Sequence, residues 1–274
     1  MRELCIAGRG SELAMAQNRL VQKLLEKEGY KVNILTVSTH GDRDRKSSVT
    51  ALGGNGPFVR DVEKALMSGE ADIAVHCVKD LPYEMAPGLC IAGMPDAADP
   101  RDCLILRPLK EKTFEQDLEE SPSRPLIIGT GSPRRISQLR ALREKLGIEM
   151  EFKDIRGNIT TRLEKLRRGD YDGIVLAKAG LDRIGADLSG LEVRVFEPVE
   201  MIPAVGQGLL ACECRESDAE MRALLERITP PANYLRYEVE RGIFCSYQCD
   251  CRSAVGIHAK ISEGGTELLV MYEE

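Results

Sequence analysis

The chain has no tryptophan, 4% aromatic residues and three histidines in 274 positions. With a formal net charge of -6, it lacks the basic surface and stacking rings of a general nucleic-acid binder. No run approaches the roughly 20 apolar residues that cross a bilayer, so no membrane partner is expected. The start, MRELCIAGRG, reaches glycine and charge before an apolar stretch forms, so no secretory signal is expected either. The nine cysteines are an odd number in a long charged chain, which favours reduced thiols in the cytoplasm over a disulfide scaffold. Cys245, Cys249 and Cys251 in FCSYQCDCRSAVG, with Cys212 and Cys214 in LLACECR, lack the CxxC spacing usual for zinc, and no metal is expected. His76 and His258 fall on predicted strands as satisfied core residues, His40 falls in a loop, and no Ser–His–Asp grouping emerges. GGNG at 53–56 and GTGS at 129–132 do not continue into a phosphate-loop motif, so neither ATP nor NAD is implied.

What the chain does have is a local concentration of arginine. Arg134 and Arg135 lie in IIGTGSPRRISQL, and Arg156 and Arg162 lie in DIRGNITTRLEKL. Each segment reads as an apolar strand turning into a helix, with Ser132 or Asn158 as cap and Pro133 at the first helical position. A helix N-terminus already carries partial positive charge, so cations there cost stability unless an anion sits among them. Local positive charge in an acidic chain favours a small polyanionic ligand in a cleft over a long polymer.

The first 100 residues alternate strand and helix: LCIAG, a helix from Ser11 to Glu28, VNILTVS, a helix from Phe58 to Met67, then DIAVH. The charged, glycine-rich stretch 41–57 reads as a lid or binding loop. A second block runs through LIIGT, a helix from Ser132 to Leu146, EMEFKDI, a helix from Asn158 to Arg168, and GIVLAK. This alternation predicts α/β blocks with largely parallel sheets and ligands at the carboxyl ends of strands. Arg9, Asp80, Arg134 and Arg156 all lie just beyond such ends. After Arg215 a smaller α+β unit is expected. Asp80, in HCVKDLP, has two readings: a carboxylate for proton transfer or cation stabilisation, or an aspartate opening a turn before proline. Cys212 and Cys214 share a strand face as packing residues. Cys251 lies beside Arg252, where a cation favours the thiolate.

Taken together, RGSELAMAQ, GGNGPFV, DIAVHCVKDLP, GTGSPRR, IRGNITTRLEKL, AGLDRIG and IPAVGQG resemble the porphobilinogen deaminase (hydroxymethylbilane synthase) family, in order from Arg9 to Arg215. The resemblance implies a transferase that condenses four porphobilinogen molecules into hydroxymethylbilane with release of ammonia. It implies a dipyrromethane cofactor held by a thioether, here on Cys251. It also implies three domains, the first two resembling type II periplasmic-binding-protein domains around a cleft. The expected bounds are 1–98 with 194–215 returning, 99–193, and a small, apparently truncated α+β domain at 216–274. By the same resemblance Asp80 is the catalytic aspartate, and Lys79, Thr130, Ser132, Arg134, Arg135 and Arg156 contact the cofactor. Arg9, Ser11, Phe58 and Arg162 contact substrate. A cytoplasmic monomer with no nucleic-acid partner is expected. The chain departs from the family pattern at Asn55 (usually Lys), Cys77 (usually Ser), and Cys249, Asp250 and Ala254 of the cofactor loop. The alternative is a noncatalytic tetrapyrrole or small-anion binder on the same scaffold.

Overall fold

Strand–helix alternation builds two five-stranded sheets of the same design. The computed structural model describes residues 3–38, 56–82, 85–108, 124–247 and 253–273. His40, Asn55, Cys249, Asp250 and Cys251 lie outside those residues, as do the side chain of Phe58 and nearly all of the predicted lid.

In the first sheet, β1 (Glu3–Arg9), β2 (Lys31–Val37) and β3 (Ile73–Cys77) are joined through helices α1 (Glu12–Lys27) and α2 (Gly56–Met67). β4 (Leu89–Ala97) lies at the other edge, and the order is β2-β1-β3-β10-β4, with β10 (Leu209–Arg215) inserted between β3 and β4. β1 pairs parallel with β2 and β3, whereas β10 is antiparallel to both its neighbours. Side chains alternate along β1. Leu4 and Ile6 meet Val21 and Leu25 of α1, and Ala7 meets Val62, Ala65 and Leu66 of α2 on the opposite face. Full burial of a residue such as Leu25 contributes about 1.5–3 kcal/mol.

The second sheet uses β5 (Asp102–Leu106), β6 (Leu126–Gly129), β7 (Met150–Lys153), β8 (Gly173–Ala177) and β9 (Glu192–Val195), in the order β7-β6-β8-β5-β9. Its parallel part, β6 with β7 and β8, is linked through α3 (Pro133–Leu146) and α4 (Ile159–Arg168), and β5 is antiparallel to β8 and β9. α5 (Lys178–Ile184) follows β8 directly. Each sheet is thus half antiparallel rather than largely parallel. The strands that alternate with helices run parallel, and β10 and β5 enter from other parts of the chain, where no crossover helix dictates their direction.

α6 (Ala219–Arg227) and α7 (Pro231–Ser246) follow, and β11 (Ala254–Ser262) pairs with β12 (Gly265–Glu273) in a two-stranded sheet. The described residues of Met1–Ala98, Val205–Cys251 and Ala259–Glu267 group as one unit, and those of Asp99–Ala204, Arg252–His258 and Leu268–Glu274 as a second. Cys212 and Cys214 are buried in the first core, on one face of β10. Burial pushes the Cys214 thiol up to about 12 and raises Cys212 as well. Both are packing residues.

Candidate functional site

In the first unit, the parallel strands end at one edge, and the candidate residues lie along it. β1 ends at Arg9, which is half-buried. Ser11 caps α1, its Oγ accepting from the backbone N–H of Ala14 at 3.3 Å, so that hydroxyl has a structural task at the same spot. β3 ends at Cys77 and runs straight into a single 3-10 turn, Val78–Asp80. This turn closes on Leu81, whose N–H donates to the Val78 carbonyl at 3.0 Å. Lys79 and Asp80 are half-buried on it. Lys79 Nζ lies 3.5 Å from Gln207 Oε1. Cys77, where the family pattern has Ser, takes a hydrogen bond from the buried Gln17 amide at 3.0 Å. His76, one residue back on the strand, is buried and paired with Glu213 at 3.0 Å. It belongs to the core, as its strand position suggests.

The second unit repeats the plan. Thr130 follows β6 and is buried, and its Oγ1 accepts from the N–H of Ser132 at 3.3 Å. Ser132 occupies the cap position of α3, but its side chain makes no capping bond, and Pro133 is the first helical residue. Its hydroxyl is therefore not committed to the helix. Arg134 and Arg135 follow in the first turn and are only 4% and 8% exposed. The anion that such a turn requires is supplied by the chain itself. Asp102, at the start of β5 and 0% exposed, pairs with Arg134 Nη2 through one oxygen and with Arg135 Nη2 through the other, both at 2.7 Å. Arg135 also donates from Nε to Asp102 at 3.1 Å and from Nη1 to the Val175 carbonyl at 2.8 Å. Arg134 donates to the Ile202 carbonyl at 2.6 Å. Burial, then Asp102 in opposition and Arg135 in support, leave the Arg134 guanidinium with a lowered pKa. Two guanidiniums on one carboxylate leave the trio with net positive charge.

Arg156 and Arg162 have a different setting. Arg156 lies beyond β7 and Arg162 in the second turn of α4, and both are half-buried. Asn158 caps α4, accepting from the N–H of Thr161 at 2.9 Å. Arg162 Nε donates to the Gly157 carbonyl at 2.8 Å, and Lys165 Nζ donates to the Arg156 carbonyl at 2.9 Å. The loop backbone is thus fixed by side chains of the helix it introduces.

The structure brings Arg9, Ser11, Lys79 and Asp80 to one sheet edge, and Thr130, Ser132, Arg134, Arg135 and Arg156 to the corresponding edge of the other sheet. Arg162 sits one helical turn further on. Sequence reasoning missed Asp102. Its signal was present in DPRDCLIL, an acidic residue opening an otherwise apolar strand that is buried at every position. It also missed Glu240, a buried carboxylate on α7, because that helix carries many charges and nothing local distinguishes one glutamate.

The family described as "Porphobilinogen deaminase, dipyromethane cofactor binding domain" matches residues 4–223. A porphobilinogen deaminase of Syntrophomonas wolfei is 39% identical over 267 residues, 96% of this chain and 83% of the relative. One of Exiguobacterium sibiricum is 40% identical over 272 residues, 98% and 84% respectively. Among solved structures, substrate binding domain 2 of Lactococcus lactis GlnP in its open conformation superposes with a TM-score of 0.50 at 12% identity, covering 91% of this chain and 97% of that one. That likeness is one of fold, the periplasmic-binding-protein type.

Proposed function

The chain belongs to the porphobilinogen deaminase family, and we propose that within it Asp80 is the catalytic carboxylate and Cys251 the cofactor anchor. The reaction is the family's: four porphobilinogen molecules are condensed head to tail into hydroxymethylbilane, ammonia leaving at each step, on a dipyrromethane primer.

Fit to that primer can be judged from the donors present. Its pyrroles carry acetate and propionate groups. The Arg134–Arg135–Asp102 trio has positive charge to spare, and Ser132 beside it has a hydroxyl not used in capping. These residues suit a carboxylate-bearing group. When bound, the dipyrromethane supplies the pyrrole carbon onto which substrate is added. Thr130, Ser132, Arg134, Arg135, Arg156 and Lys79 would hold its side chains and ring edges. Arg9, Ser11, Phe58 and Arg162 would meet incoming substrate.

The observation that carries the reading of Asp80 is its place on a one-turn helix at the strand end, half-buried and next to Lys79. A carboxylate there can accept pyrrole N–H bonds, give a proton to the departing amine, and stabilise positive charge as it develops on the substrate. Replacing Asp80 with Asn tests the role: turnover should collapse while cooperative unfolding is unchanged, and a near-normal rate would remove Asp80 from it. Ehrlich's reagent, which reacts with a dipyrromethane, should colour the same protein.

The expected domain division, 1–98 with 194–215, 99–193 and 216–274, is part of the proposal. The return of the chain to the first domain is supported by β10 (Leu209–Arg215) lying within the first sheet. A cytoplasmic monomer without a nucleic-acid partner also belongs to the proposal. Among the described residues no helix is long and apolar enough to cross a membrane, and light scattering of the purified protein tests the monomer.

A further inference from the structure

Glu240 lies on α7, far in sequence from Asp80, and is 0% exposed. An unpaired buried carboxylate would be costly, and this one is fully engaged. It accepts from Arg236 Nε at 2.7 Å, from the Gly206 N–H at 2.6 Å and from the Ala259 N–H at 2.9 Å. Arg236, itself buried, donates onward to the Gln207 carbonyl at 2.9 Å. The ion pair therefore grips two successive residues of the turn that precedes β10. That turn in turn backs Val78–Asp80. Gly206 has φ +67, and a Cβ built on it would fall 2.1 Å from Val78 Cγ1 and 3.6 Å from the Lys79 nitrogen. Only glycine permits both the left-handed backbone and this approach. Gln207 Oε1 meets Lys79, and Arg241, next to Glu240, donates to the Pro82 carbonyl on the far side of Asp80.

We infer that Glu240 is a positioning residue for the Lys79–Asp80 turn, acting through Gly206 and Val78. One buried carboxylate on α7 fixes the backbone against which the turn is seated, and the neighbouring Arg241 holds its exit. The inference rests on the catalytic reading of Asp80. Reactive geometry at a strand end tolerates little displacement, and a misplacement of about 1 Å costs on the order of a hundredfold in rate.

The test uses holoprotein carrying Glu240→Gln, which keeps the shape but puts an amide where three N–H donors converge. Val78→Ala is a second variant that loosens the seat without touching the ion pair, and Asp172→Asn is a control that weakens a structural pair in the other unit. The expected result is a kcat loss of about 10- to 100-fold in Glu240→Gln at unchanged KM. A smaller loss of the same kind is expected in Val78→Ala, and no kcat change beyond the unfolded fraction in Asp172→Asn. In an Asp80→Asn background, Glu240→Gln should lower the residual rate no further. A folded Glu240→Gln protein with native kcat overturns the inference, as does a full additional loss in the Asp80→Asn background. If Glu240→Gln does not fold, native kcat in Val78→Ala overturns it. Near-normal turnover of Asp80→Asn alone would instead overturn the catalytic reading, so the two failures are distinguishable.

Discussion

Arg134 and Arg135 differ from Arg156 and Arg162 in what surrounds them, not in residue type or in the kind of turn they follow. Both pairs come after a parallel strand of the same sheet and near a helix N-terminus. The first pair has Asp102 within reach and is buried around it. In the second pair Arg162 donates to the Gly157 carbonyl, the Arg156 carbonyl accepts from Lys165, and both residues stay half-buried. An internal carboxylate turns an arginine pair into scaffold with residual charge.

The comparison breaks most visibly at Asp102. Asp102→Ala leaves two buried guanidiniums without their carboxylate and should cost about 3–5 kcal/mol in urea unfolding. A loss no larger than that of a surface substitution would show that the trio is not the scaffold described. Arg156→Ala and Arg162→Ala should do the reverse. Stability should stay within about 0.5 kcal/mol, while turnover falls about 10- to 100-fold, the worth of a charge-assisted hydrogen bond. Mass spectrometry of reaction mixtures should show these variants stalling with fewer substrate units attached.

Cys103 offers a reporter next to Asp102. Burial pushes its thiol up to about 11, so iodoacetamide near neutral pH should spare it in the native chain and label it in Asp102→Ala. The smallest effect is expected at Asp172, where a buried carboxylate meets an exposed arginine. Burial alone would raise its pKa, but hydrogen bonds from Arg124 and from the Ile127 N–H outweigh this and leave it below the ordinary 3.8. A depressed carboxylate contributes stability above its unfolded pKa and loses it as pH falls through the folded value. Acidification through and below about 3.8 should therefore lower the urea midpoint, and Arg124→Leu should flatten that slope. An unchanged slope in Arg124→Leu would assign the effect to other carboxylates.

Much of this was legible in the sequence because it rests on local rules. Asn158 caps the helix expected of it, Ser132 holds the expected cap position though without a capping bond, Pro133 opens α3, and the strands before Asp80, Arg134 and Arg156 end where the apolar runs end. The partners of Asp102 and Glu240 were not legible, since Asp102 meets Arg135 across 33 positions and Glu240 meets Gly206 across 34; the apolar strand behind Asp102 hinted at its burial, and nothing local marked Glu240. Strand direction failed for the same reason. β10 and β5 join their sheets from a distance, and periodicity carries no information about that.

Mass spectrometry of the native protein, intact and after proteolysis, tests whether Cys251 anchors the cofactor. The prediction is one dipyrromethane per chain, carried by the peptide containing Cys251. An unmodified chain, or the adduct on another of the nine cysteines, would contradict it.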